Sequence, residues 1–313
     1  MLTTYRITDL VDYINWVYFF HAWGFAPQFA GIARIHACQA CRDSWVSSFE
    51  PAQRQKAREA AALYADAQRW LSRLTAHTTI YALVELFEAG STPDDDIVLT
   101  LHDGTQTHLP MLRQQRPGAD GYCRCLADYL KPLGADGKPA DRIGLFATSV
   151  SATPPPASAT RTLSTEPHTI AADDQYGQLL TQTLSDRLAE AAAERIHQYV
   201  RTTLWGYAPD EQLTMDQLQM EQFQGIRPAV GYPCLPDLSV NFLLDPILGL
   251  DRIGIRLTEH AMMQPHASVS GLMMAYHGAT YFSVGNISDE QLSDYARRRG
   301  MPPEALMPYL RKS

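Results

Sequence analysis

The stretch Gln224-Gly225-Ile226-Arg227-Pro228-Ala229-Val230-Gly231-Tyr232-Pro233 puts one fixed cation, two glycines, two prolines and an aromatic ring into ten residues. Pro228 and Pro233 restrict φ, and each biases the residue before it toward extended geometry. Gly225 and Gly231 permit positive φ or a close backbone approach. Arg227 therefore stands in a stiff, non-helical loop. A guanidinium held there can make a two-pronged hydrogen-bonded pair with a carboxylate. Spacing alone leaves two readings open. The arginine either brackets a structural turn by pairing with a neighbouring Asp or Glu, or it grips the carboxylate of a ligand.

Outward from this loop the periodicities alternate between helix and strand. Residues 214–223 predict a helix capped by Thr214, with Gln217 three residues on. Before it, residues 175–204 predict a long amphipathic helix with Leu180, Leu184, Leu188, Ala191, Ile196 and Val200 near one stripe. Residues 54–74 predict another, with Leu63, Ala67, Trp70, Leu71 and Leu74 at helical spacing. Residues 80–87, 142–148, 252–257 and 279–287 read as strands. Residues 97–101 and 105–109 flank Asp103-Gly104, a hairpin signal. Residues 126–130 read as a short helix, residues 94–96 (Asp-Asp-Asp) as a solvated turn, and residues 238–248 are ambiguous. Ser288-x-x-Gln291 opens a helix that Gly300 ends. Residues 150–172, with Pro154-Pro155-Pro156 among Ser, Thr and Ala, predict a surface loop. No regular βαβ alternation and no Gly-rich phosphate loop after a strand appear, so a dinucleotide site is not supported. The expected fold class is α+β, helices packed on a twisted, largely antiparallel sheet.

The 313 residues are 45% hydrophobic and 19% charged, ordinary globular values that leave room for one large domain or two intimate ones. A net charge of −8 without a long basic run points away from nucleic acid. No apolar segment has the length to span a bilayer. Residues 1–12 lack a cationic region followed by an apolar run, and the five cysteines are odd and sparse, which points to reduced thiols in the cytoplasm. Cys38-x-x-Cys41, just after His36, reads as two half-buried residues one helical turn apart rather than a metal site, because no second pair follows. Cys123 and Cys125 read as same-face strand residues in packing. No metal is expected. The aromatic run from Tyr13 to Trp23 reads as core.

Arg227 to Tyr232 matches Arg-x-x-x-Gly-Tyr, and the chain resembles the activation (reactivation) domain of cobalamin-dependent methionine synthase, which binds S-adenosylmethionine. The resemblance runs through Tyr13-Ile14-Asn15-Trp16, Leu112-Arg113-Gln114-Gln115, Cys125-Leu126-Ala127-Asp128-Tyr129 and Asp186-Arg187-Leu188-Ala189-Glu190-Ala191. It continues through Trp205-Gly206-Tyr207-Ala208-Pro209, Ala267-Ser268-Val269-Ser270-Gly271 and Asp294-Tyr295-Ala296-Arg297-Arg298. It implies a curved single domain over 1–313. It also implies a ligand site of Asn15, Glu190, Glu221, Arg227, Ala229, Tyr232, Tyr281 and Phe282, with backbone groups of residues 227–230 included. Asn15 stands where the family has Asp, Phe282 where it has Tyr, and Gln264 and His266 where it has Trp and Gly. Cys234-Leu235 replaces Ala-Cys.

These departures surround the reacting end of the expected ligand. They suggest an enzyme that cyclises S-adenosylmethionine, as substrate, to 1-aminocyclopropane-1-carboxylate or azetidine-2-carboxylate with release of methylthioadenosine. Free-standing relatives in natural-product pathways are associated with such chemistry. No Schiff-base lysine context is visible, so the reaction would not use pyridoxal phosphate. Candidate bases are His266, His260, Glu221 and Tyr281. The alternative is a reactivation module that donates the methyl group to a cobalamin protein, which would have to be a separate partner because no Asp-x-His-x-x-Gly appears. A homodimer is compatible with the sequence.

Overall fold

Residues 1–152 and 175–310 are described by the computed structural model. Their strands are β1 (Leu2–Tyr5), β2 (Thr78–Ser91), β3 (Asp96–Thr100), β4 (Gln106–Pro110), β5 (Asp141–Ala152), β6 (Arg256–Leu257), β7 (Met263–Gln264) and β8 (Ser268–Met273). Their helices are α1 (Trp16–Ala22), α2 (Gln39–Ser47), α3 (Arg54–Leu74), α4 (Gln175–Tyr199), α5 (Met215–Gln219), α6 (Val240–Leu248), α7 (Asp289–Arg299) and α8 (Pro303–Leu306). The chain divides into two compact units. Unit 1 comprises Met1–Thr3, Tyr81–Ser149 and Ala193–Ser313; unit 2 comprises Thr4–Ile80 and Val150–Ala192. The fold is α+β. Among the described residues no helix is long and apolar enough to cross a membrane.

In unit 1 a period-two pattern decides which side chains meet. The sheet runs β4-β3-β2-β5-β8 with β1 also paired to β2. The pairs β2–β3, β3–β4 and β5–β8 are antiparallel. Leu83, Phe87 and Ala89 of β2, Ile97 and Leu99 of β3, Leu109 of β4 and Ile143, Leu145 and Ala147 of β5 alternate along their strands into one buried cluster. Val240, Leu244 and Leu248, four residues apart on α6, enter the same cluster. Each fully buried Leu or Ile there contributes about 1.5–3 kcal/mol relative to exposure. A second cluster joins Tyr295 and Ala296 of α7 to Leu306, Leu112 and Val284. α7 is defined at both ends by local chemistry. Ser288 accepts from the Gln291 N–H, and Gly300 closes it at φ +64.

Unit 2 is built on aromatic edges and one alanine-rich helix. Phe19 and Phe20 of α1 are buried and meet edge to face, and Phe20, Phe25, Phe29 and Phe49 continue the chain of rings. Trp16 and Trp23 are half-buried, and Tyr18 is exposed, so the aromatic run is core on one helical face only. α3 buries Ala57, Ala60, Leu63, Ala67 and Leu71 along one stripe. Trp70 donates from Nε1 to Thr181 Oγ1 at 2.7 Å, and Tyr176 donates to Asp66 at 2.7 Å. These two bonds tie α3 to the first turns of α4.

Several expectations are corrected. Residues 279–287 form no strand; scattered bonds hold them instead, among them Val284 N–H to the Pro233 carbonyl at 2.9 Å. Residues 250–253 make a 3-10 turn, Gly254 breaks it at φ +75, and β6 keeps only two residues. Asp96 is buried and opens β3, accepting from Arg298 and facing His108, while Asp95, at φ +63, accepts from Arg113. The Thr214 capping box forms as expected, but α5 stops at Gln219, so Glu221 lies beyond it at φ +55. Residues 238–248 resolve as α6 with Pro246 inside. Residues 150–152 complete β5, and the rest of the expected loop, 153–172, lies outside the described residues.

Cys125 is not in a strand but precedes a 3-10 turn, Leu126–Tyr129, and is buried. Cys38 is not half-buried. It is exposed and caps α2, its sulfur accepting from the Cys41 N–H at 3.3 Å. Hydrogen bonds from Cys41 and then His36 bring its thiol down to about 7.

Candidate functional site

The signature loop lies against β8, the terminal strand of the sheet. Ile226 and Met274 exchange both backbone bonds, at 3.0 and 2.9 Å; Leu272 N–H donates to the Pro228 carbonyl at 2.9 Å and Val230 N–H to Ser270 at 2.9 Å. Ala229 bridges Gly271. Pro228 has no N–H to give, which an edge position tolerates. The approach is close enough to need glycine on both sides. A Cβ on Gly225 would stand 2.2 Å from the Met274 carbonyl oxygen, and one on Gly271 would stand 2.2 Å from that of Pro228. The backbone of this segment is thus largely committed to the sheet edge, and it holds Arg227 in place.

Arg227 donates from Nη2 to Glu194 Oε2 at 3.0 Å, and the two side chains are 12% and 16% exposed. Its guanidinium stands 5.8 Å from the Phe146 ring centre. Its backbone N–H donates to the Tyr281 hydroxyl at 2.9 Å. Behind it the helix changes its spacing. α4 passes into a π-helical turn, Val200–Leu204, whose wider winding brings Arg201 inside. Arg201 is 0% exposed and makes a two-pronged pair with Glu211, both bonds 2.8 Å, with Phe223 beneath its plane at 4.1 Å. Its Nη1 lies 3.9 Å from Glu194 Oε1, and neither of those two buried atoms has a hydrogen-bond partner among the described residues.

The charges of this cluster tune their neighbours. His197 is fully buried, and desolvation, followed by Arg201 and Arg227, holds its imidazole well below 6.5. It is therefore neutral, with Nε2 3.4 Å from the Tyr207 hydroxyl. Tyr281 and Glu221 both keep an exposed face. Partial desolvation pushes the Tyr281 phenol up to about 12, against the opposing pull of Arg227. Desolvation likewise raises the Glu221 carboxyl, Arg227 lowering it and Glu194 raising it further.

Of the residues singled out from sequence, Arg227 and Tyr281 share a hydrogen bond, Glu221 acts on them electrostatically, and Ala229 pairs with Gly271 of β8. Tyr232 is exposed beside them in the chain. Phe282 packs against both hydrophobic clusters and meets Tyr129 edge-on at 6.3 Å. His260 is 72% exposed and lies 3.5 Å from Glu259, and His266 is exposed after the cis Gln264-Pro265 bond. Asn15 and Glu190 belong to unit 2, where Asn15 caps α1 by accepting from the Val17 N–H at 3.1 Å and Glu190 is half-buried on α4. Sequence reading passed over Glu194, His197, Arg201 and Glu211. Glu194, His197 and Arg201 stand among further polar residues, Arg195, Gln198, Thr202 and Thr203, so no spacing signal singles them out in the sequence.

The fold and the loop together define an α+β protein of the methionine synthase activation type. A family model described as vitamin B12 dependent methionine synthase, activation domain, matches residues 6–300, and the chain belongs to that family. A solved structure described as "Crystal Structure of the MetH Reactivation Domain bound to AdoHcy" is 32% identical with a TM-score of 0.78. The match covers 100% of this chain and 90% of that one.

Proposed function

We propose that this protein binds S-adenosylmethionine by its amino-acid end at Arg227 and presents the methyl group to a cobalamin held outside these 313 residues. The observation that carries the reading is the charge composition of the Arg227 cluster. Among the described residues two guanidiniums, Arg201 and Arg227, interact with three carboxylates, Glu194, Glu211 and Glu221. With all three ionised these five groups together hold one net negative charge. S-adenosylmethionine carries a carboxylate, an ammonium and a sulfonium, one net positive charge. The fixed guanidinium suits its carboxylate, and Glu194 or Glu221 suits its ammonium. Membership of the activation-domain family and the AdoHcy bound by the similar reactivation domain support the same ligand class. Tyr232 and Phe282 are assigned to the ligand by resemblance.

A second reading is favoured by Glu221. Its carboxyl, exposed but partly desolvated beside the carboxylate clamp and raised by that desolvation, would be a base near the ligand's Cα. Removal of the Cα proton would let Cα bond to Cγ as the Cγ–S bond breaks. Its electron pair leaves with methylthioadenosine, and 1-aminocyclopropane-1-carboxylate remains. Attack by the amine instead would give azetidine-2-carboxylate.

One experiment separates the two. The pure protein is incubated with S-adenosylmethionine alone, then with a reduced cobalamin carrier added. The first reading expects binding without turnover, then methylcobalamin. Methylthioadenosine and a cyclic amino acid without the carrier would contradict it and establish the second. In that case Glu221→Gln should stop turnover and spare binding, whereas His266→Ala and His260→Ala should spare both.

A further inference from the structure

Far along the chain from Arg227, unit 2 gathers a second set of chemical groups. His36, Cys38 and Cys41 each offer one ligand atom, and these atoms lie within 4.8 Å of one another. His36 and Cys38 are exposed and Cys41 is half-buried, so a solvent ion has access. The scaffold is set locally. Cys38 caps α2, a helix of nine residues, and the Cys41 N–H donates to its sulfur at 3.3 Å. Arg42 Nε donates back to the Ala37 carbonyl at 3.1 Å, fixing the turn between His36 and Cys38. His36 Nδ1 accepts only a long bond, 3.3 Å, from the Cys38 N–H, which a cation at that nitrogen would replace.

We propose that His36, Cys38 and Cys41 form a three-ligand site for a thiophilic divalent cation of the zinc type, with the fourth position open to water. Tetrahedral zinc, with bonds of about 2.3 Å to sulfur and about 2.0 Å to nitrogen, sets its ligand atoms roughly 3.5–3.8 Å apart. The observed spacing needs only a small turn of exposed side chains to close on an ion. Two thiolates neutralise the charge of the cation, and a neutral imidazole completes the soft set. The short Cys-x-x-Cys spacing has no second pair in the sequence; the third ligand comes from just before it, at His36.

Cobalt titration of the full, reduced chain tests this. One equivalent of Co²⁺ should give thiolate-to-cobalt charge-transfer absorption with tetrahedral d–d bands, and Zn²⁺ should bleach both. Cys38→Ser and Cys41→Ser should each remove the charge-transfer band of the site. Serine still caps a helix, so α2 should be retained. His36→Ala should weaken binding at least about tenfold while leaving sulfur charge transfer. Cys123→Ser should change nothing. Absence of the bands in the parent chain overturns the proposal, as does their persistence in Cys38→Ser, or a Cys38–Cys41 disulfide in a chain that takes up no metal when reduced.

Discussion

His197 shows how one buried side chain sets the character of its surroundings. It meets the Phe223 ring and the Tyr207 hydroxyl, and it stays neutral because burial first, then the guanidiniums of Arg201 and Arg227, disfavour the imidazolium. The consequence for stability has a definite sign. Below its ordinary value of 6.5 the unfolded chain binds a proton at this position that the folded chain refuses. Stability is therefore full above that pH and declines as pH falls through it, by up to about 1.4 kcal/mol per pH unit. Urea midpoints of the parent and of His197→Gln, compared at about pH 7.5 and about pH 5.5, should diverge, the parent losing more. Equal losses would mean that the imidazole is not held neutral.

At the scale of elements, the pairing of the signature loop with β8 is the feature on which the site rests. Gly225 combines a positive φ of +83 with a Cβ position 2.2 Å from a backbone oxygen, whereas Gly254, at φ +75, has open space around it. Alanine at Gly254 meets only the left-handed penalty, about 1–2 kcal/mol. Alanine at Gly225 should cost about 1–3 kcal/mol more, because a carbonyl cannot move aside without breaking the Ile226–Met274 bonds. Thermal unfolding of the two variants reads the difference, and equal melting points would show that the loop does not lie against β8. Elements with local signals were legible in the sequence. The α3 stripe, the Ser288 and Gly300 ends of α7 and the Asp103-Gly104 hairpin depend on neighbours a few residues away. Residues 279–287 misled because aromatic and β-branched residues there anchor a loop instead: Tyr281 to the Arg227 backbone and Val284 to Pro233. Asp96 looked solvated because its partner, Arg298, is 202 residues away.

Across the whole molecule, the first of the two readings of Arg227, pairing with a nearby acid, is observed, and the second, a grip on a ligand carboxylate, is proposed. Its guanidinium does pair with a glutamate, Glu194, and that pair is joined to a second buried arginine. The arginine was legible because prolines and glycines announce a rigid loop. The four groups behind it were not, because a buried charge on a helix looks like a solvated one until its partner is known. A site that served packing alone would gain little from an uneven count of charges; one that receives a cationic amino acid uses the imbalance. Isothermal titration with S-adenosylmethionine, on the parent chain and on Arg227→Ala with its folding verified, tests this most directly. The account predicts one binding site, lost by at least about a hundredfold in the variant, as expected when a charged hydrogen-bonding partner is removed. No heat in the parent, or equal affinity in the two proteins, would contradict it.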